Sequence, residues 1–135
     1  MGNLIEDELT QSVIGAFYEV YNTLGFGYLE HVYIRAMERE LSARGHKVAR
    51  EVSVQVMYKG EVLATQRLDM IVDDKLVVET KSTHQLHPTA LRQLQNYLRA
   101  TTLEVGLLLH FGPAARFHRL IVTNDRKYTA TDSTD

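Results

Sequence analysis

Cysteine is absent from this sequence, which excludes disulfide bridges and thiolate metal sites. Long apolar runs are absent as well. None approaches the ~20 residues needed to span a bilayer. The acidic opening MGNLIEDELT has no signal-peptide core, and these absences fit a cytoplasmic protein with no membrane partner. A basic surplus is also missing. Lys and Arg number 15 against 17 Asp and Glu, for a net charge of −2. That balance argues against broad, nonspecific nucleic-acid binding, which depends on a basic surface, yet it leaves room for a local basic groove around a short substrate. There is no internal repeat, no low-complexity linker and no appended DNA-reading segment, so an elaborate sequence preference is not expected.

What is present suits one domain. The chain has 135 residues, 44% hydrophobic and 24% charged, enough to build one core. Leu4/Ile5, Leu9, Val13, Phe17, Val20 and Leu24 recur at helical spacing, and Gly25 stops the run. A second helix is predicted to carry Leu29, Tyr33, Ala36/Met37 and Leu41 on one stripe and to end at Gly45. From Val48 the period changes to two, with Val52, Val54, Val56 and Tyr58 on alternate positions. Strands at 62–72 and 76–82 follow, separated by turns at YKGE and DDK. Pro88 opens a helix to about Ala100, with Leu91, Leu94 and Leu98 as its stripe. The run VGLLLHF at 105–111 reads as a strand covered on both faces, and 117–122 as a last strand. The tail from Thr123 is polar and expected to fray. The order is α-α-β-β-β-α-β-β. A helix joining the strands on either side of it implies that they run parallel, so the fold class is α/β, a mixed sheet flanked by helices.

The stretch RLDMIVDDKLVVETKS at 67–82 is the unusual one. Glu79 and Lys81 end an apolar strand, where charge is costly unless paired or metal-bound. Both point to one face, because the side-chain period of a strand is two. A three-residue turn, Asp73 to Lys75, sets Asp69 opposite Glu79. A two-residue turn sets it opposite Val78 and turns Glu79 away. In the first register the two carboxylates repel unless a cation lies between them. Magnesium accepts one or two carboxylates and keeps waters, and Lys81 beside it would orient a water or offset negative charge. The plain alternative is a surface hairpin whose charges are solvated or paired.

Two motifs flank this hairpin. GYLEHVY at 27–33 puts Glu30 in the first turn of the second helix, near a cleft or simply as favourable charge at a helix start. QLQNY at 93–97 puts Gln93 and Tyr97 four apart on one face, apart from the leucine stripe, where they contact phosphate or base or form a polar face. His84 and His87 have no third ligand and read as loop residues. His31, Arg35 and Arg39 read as a solvated face. Arg92, Arg99, Arg116 and Arg119 are available to a phosphate groove. Tyr18, Tyr21, Phe26 and Tyr28 belong to core or rim.

Asp69 followed by Glu79-Thr80-Lys81 resembles the PD-(D/E)xK nuclease superfamily. Gly27-x-x-Glu30-x-x-Tyr33 resembles the signature of the GxxExxY proteins, and Gln93-x-x-x-Tyr97 the QxxxY motif of the RecB-like exonuclease branch. The resemblance covers about 4–122, with Leu68 in place of the motif's proline. It implies a restriction-endonuclease-like core over residues 1–122 followed by a tail at 123–135. It implies Asp69, Glu79 and the Thr80 carbonyl as ligands of magnesium or manganese, Lys81 as the catalytic lysine, and Glu30 as an acidic group reaching the metal through water. Gln93 and Tyr97 become substrate-binding residues. The implied activity is metal-dependent hydrolysis of DNA, less so RNA, with a homodimer as one way to cut two strands. The alternatives are a catalytically silent nuclease-fold module that binds nucleic acid or protein, and an interaction domain in which the charged triplet is incidental.

Overall fold

A computed structural model describes residues 5–127. Leu4, the first residues of the expected domain, and the tail beyond 127 lie outside the described residues. Helices α1 (Asp7–Leu24) and α2 (Glu30–Ala43) precede strands β1 (Val48–Tyr58), β2 (Glu61–Val72) and β3 (Leu76–Lys81). Helix α3 (Thr89–Arg99) leads to β4 (Val105–Phe111), β5 (Ala115–Ile121) and a 3₁₀ turn at Asn124–Arg126. One five-stranded sheet runs β1-β2-β3-β4-β5. It is antiparallel except for β3 and β4, which the α3 crossover makes parallel. The architecture is the α/β mixed sheet that the sequence predicts, in the predicted order.

Each face of the sheet buries its own core. On one side α1 and α2 bring Val13, Phe17, Val20, Tyr33, Met37 and Leu41 onto Val72, Leu76, Val78, Leu107 and Phe111. Phe111 meets Tyr33 at 4.1 Å in a stack and Phe17 at 4.9 Å edge-on, pairs worth ~0.5–1.5 kcal/mol each beyond the area they bury. On the other side α3 packs Leu94, Tyr97 and Leu98 onto Val54, Leu68, Val77 and Leu108. Every residue of β4 is buried, as its continuous apolar run requires.

The long β1–β2 hairpin changes faces part-way. Met70 and Val72 face α1 and α2, whereas Leu68 faces α3. Val48 and Val52 divide in the same way across β1. Side chains two apart on a regular strand share a face, so the pair rotates between Met70 and Leu68. Glu51, opposite this point, has φ of 54°. Beyond it the hairpin leaves β3, since β2 pairs with β3 only over Met70–Val72. The free part forms an arm with exposed Met57, Tyr58, Val62 and Leu63.

Three expectations need correction. Leu29 precedes α2 rather than joining its stripe, and is 71% exposed. Tyr97 is buried with Leu94 and Leu98 instead of standing on a separate face. The start of the polar tail is docked, with Lys127 Nζ donating to the Thr101 and Leu103 carbonyls. At the far end of the sheet a polar relay ties three elements together. Ser12 Oγ on α1 lies 2.7 Å from His46 Nε2, and His46 Nδ1 lies 2.7 Å from Asp73 Oδ2 in the β2–β3 turn. The Lys47 N–H donates to the other Asp73 oxygen.

Candidate active site

The turn after β2 has three residues, with Val72 paired to Leu76. Asp73 and Asp74 both adopt positive φ, which short Asx side chains tolerate. This is the register that brings Asp69 opposite Glu79. The backbone ladder stops one pair earlier, at Met70–Val78, and the two carboxylates continue it. The Asp69 N–H donates to Glu79 Oε2 at 2.9 Å, and the Thr80 N–H donates to Asp69 Oδ2 at 2.7 Å. Each acid therefore accepts a backbone donor from the other strand. A strand residue turns its N–H and C=O to the same neighbour, so the Thr80 carbonyl also faces the gap where the ladder has ended.

Burial makes this pair electrostatically tense. Glu79 is 5% exposed. Desolvation, then the charge of Asp69, pushes its carboxyl up to about 8. Asp69 is also raised, first by desolvation and then by Glu30, against the lowering effect of the Thr80 N–H. Two adjacent acids with raised pKa values, Glu79 buried and Asp69 half-buried, are short of positive charge. Lys81 is the nearest compensation on the same strand, and it lowers both. Among the described residues no group of three His, Cys, Asp or Glu is placed to hold a metal. The donor set is two carboxylates and a carbonyl, which fits a hard cation that keeps water ligands better than it fits zinc.

The flanking motifs reach this point from opposite layers. Gly27 has φ of 121°, a conformation that side chains strain against. The Tyr33 hydroxyl donates to the Gly25 carbonyl at 2.5 Å and accepts from the Tyr28 N–H at 3.2 Å. The loop so fixed delivers Glu30 as the first residue of α2. Glu30 Oε2 accepts the Ser82 N–H at 3.3 Å, just past Lys81, and its charge is felt by both acids. From α3, exposed Gln93 places Oε1 3.5 Å from Lys81 Nζ. The hydroxyl of Tyr97 is raised by desolvation and then by the charges of Glu79 and Asp69. All six side chains named from sequence thus converge on the end of β3.

His110 is a neighbour that sequence reasoning missed. It pairs with Lys81 across the parallel ladder and with Arg116 on β5, so the three form one row across the sheet. His110 is buried, and its Nε2 lies 2.9 Å from the Thr83 carbonyl, which pins the segment leaving β3. The available signal was an imidazole inside the apolar run VGLLLHF. Arg119 departs from expectation, because it lies on the opposite face and donates to the Ile5 carbonyl. His87 caps its own turn through Thr89, and His84 sits against Phe26, so both remain loop residues.

A family model described as the PD-(D/E)XK nuclease superfamily matches residues 7–120. Among solved structures the chain resembles the crystal structure of SSO0001, with a TM-score of 0.55 and 22% identity over 87% of this chain. The match spans only 59% of that longer protein. It also resembles an alkaline exonuclease, LHK-Exo, from Laribacter hongkongensis, with a TM-score of 0.51 and 11% identity. That match covers 93% of this chain and 73% of the other. At these identities both likenesses describe the fold alone. Among curated proteins none matches.

Proposed function

The chain belongs to the PD-(D/E)XK nuclease superfamily, and on that premise we propose that it is a metal-dependent nuclease hydrolysing phosphodiester bonds of DNA, with RNA the lesser substrate. Magnesium or manganese is the proposed ion. Within the superfamily the Gly27, Glu30 and Tyr33 pattern suggests the GxxExxY group. We take 1–122 as the nuclease unit and 123–135 as a tail, in a cytoplasmic setting, with a homodimer as the form that would cut two strands. No described helix is long and apolar enough to cross a membrane.

The observation that carries this reading is the pair of carboxylates, Glu79 buried and Asp69 half-buried, joined by crossed hydrogen bonds at the end of an apolar strand with Lys81 beside them. Asp69, Glu79 and the Thr80 carbonyl would hold the ion. Once bound, it would acidify a water and neutralise charge on the scissile phosphate. Lys81, steadied by Gln93, would orient the attacking water and meet the negative charge that develops on the phosphoryl oxygens. Glu30 would accept a hydrogen bond from water at the site. Tyr97, with its hydroxyl kept protonated, would donate to the substrate. Water adds to phosphorus and the bond to the 3′-oxygen breaks. The leaving oxygen takes up a proton, and a 5′-phosphate remains.

A silent binding module is the second reading. It draws on the same hydrogen bonds, which give Asp69 and Glu79 a structural task without catalysis. The separating experiment is a low-salt assay on single- and double-stranded DNA and RNA, with magnesium, manganese or chelator. Metal-dependent products that a 5′-phosphate-requiring ligase can rejoin support the nuclease. No cleavage of any substrate supports the module.

A further inference from the structure

The arm and α3 enclose a groove of about 520 Å³, lined by Gln55, Val56, Met57 and Gln66 from the hairpin and by Asn96, Arg99 and Ala100 from the helix. It lies on the face of the sheet that carries Glu79 and Lys81, because Val54, Leu68, Val77 and Tyr97 share one core there. Gln66 precedes Asp69 by three residues, or ~10 Å of strand. Arg99 follows Gln93 by six, or ~9 Å along the helix axis. The groove therefore continues from the carboxylates in the direction in which α3 runs.

Its chemistry suits a nucleic-acid strand. Three amides can each donate and accept, as base edges require. Arg99 supplies a charged fork for phosphate. Val56 and the half-exposed Met57 offer apolar surface to a base face. No carboxylate lines it. Although the chain is acidic overall, α3 carries two arginines and no acid, and among the described residues Arg92 and Arg99 are in none of the ion pairs. A cavity of this size matches a small ligand, which is the scale of a few nucleotides rather than of a whole duplex. A span of ~9 Å holds roughly three nucleotides stacked at ~3.4 Å each.

We propose that this groove holds the nucleotides beside the scissile phosphate as a single strand. Single-stranded nucleic acid, or a frayed end, is then the preferred substrate. The inference rests on the nuclease reading and narrows it.

The test measures binding of fluorescent oligothymidines two, four and eight nucleotides long, and of an eight-base-pair duplex, with calcium replacing magnesium. Wild type is compared with Gln66→Ala/Arg99→Ala. Both positions are exposed, so the melting temperature should hold. Wild type should bind the octamer much more tightly than the dimer, and more tightly than the duplex. The variant should lose about tenfold on the octamer and nothing on the dimer. Its salt slope should fall by ~0.7, one phosphate contact on a single strand, a change that a purely structural role would not produce. Equal octamer affinity in the two proteins, or tighter binding of the duplex, overturns the groove. Cleavage by wild type without any effect of the variant removes the groove and leaves the nuclease. Groove-dependent binding without cleavage does the reverse.

Discussion

Glu79 is where residue chemistry and stability meet. Its carboxyl is raised to about 8 in the fold from an ordinary 4.5, so the folded state binds more protons than the unfolded state between these values. Stability of the metal-free protein should then fall as pH rises from about 4.5 to about 8. Glu79→Gln should flatten that slope in thermal melts across pH. Because a ligating carboxylate must be ionised, magnesium uptake should release protons and strengthen with pH over the same range. Magnesium should also raise the melting temperature of wild type and not of Asp69→Asn; an equal shift in both would put the ion elsewhere. Tyr97 calls for a gentler change than alanine, because its ring is in the core. Tyr97→Phe should keep the fold and lower substrate affinity, and an unchanged affinity in an anisotropy titration would make it a packing residue. The sequence displayed Gln93 and Tyr97 as neighbours on one helix face, but spacing alone does not say which of two faces the sheet covers. His110 was hidden for a related reason, since a parallel partner is fixed by the crossover rather than by anything local.

At the scale of elements, the hairpin register was legible because the Asp-Asp-Lys turn has apolar strands on both sides and short side chains that accept positive φ. The rotation of the hairpin at Glu51 and Asp69 was not, since alternation looks the same before and after a half-turn of the strand pair. The α1–α2 loop yields a backbone prediction. Gly27 has open space around it but φ of 121°, so Gly27→Ala should cost ~1–3 kcal/mol of strain and displace Glu30 without any clash; unaltered denaturant unfolding would contradict this. The Ser12–His46–Asp73 relay yields another. Burial opposes ionisation of Asp73, but the Lys47 N–H and His46 outweigh it and lower its pKa. Its contribution to stability is therefore present above the ordinary carboxylate range and lost as pH falls through the folded value. Asp73→Asn should remove that acid-side loss in melts taken below pH 4.

At the scale of the molecule, two cores hold one sheet between unequal layers. The nuclease motifs gather where the end of β3, the start of α2 and the exposed side of α3 meet. An acidic chain can still present positive side chains there, through Arg92 and Arg99 of α3 and through Lys81 and Arg116. The central claim is that Lys81 acts on the chemistry at a metal held by Asp69 and Glu79. Its most direct test is the single-turnover cleavage rate of a short DNA strand at low salt and saturating magnesium, for wild type and Lys81→Ala purified side by side, with magnesium affinity measured on both by calorimetry. The account predicts a rate lowered by roughly 10²–10³-fold with magnesium still bound. Equal rates in the two proteins would contradict it.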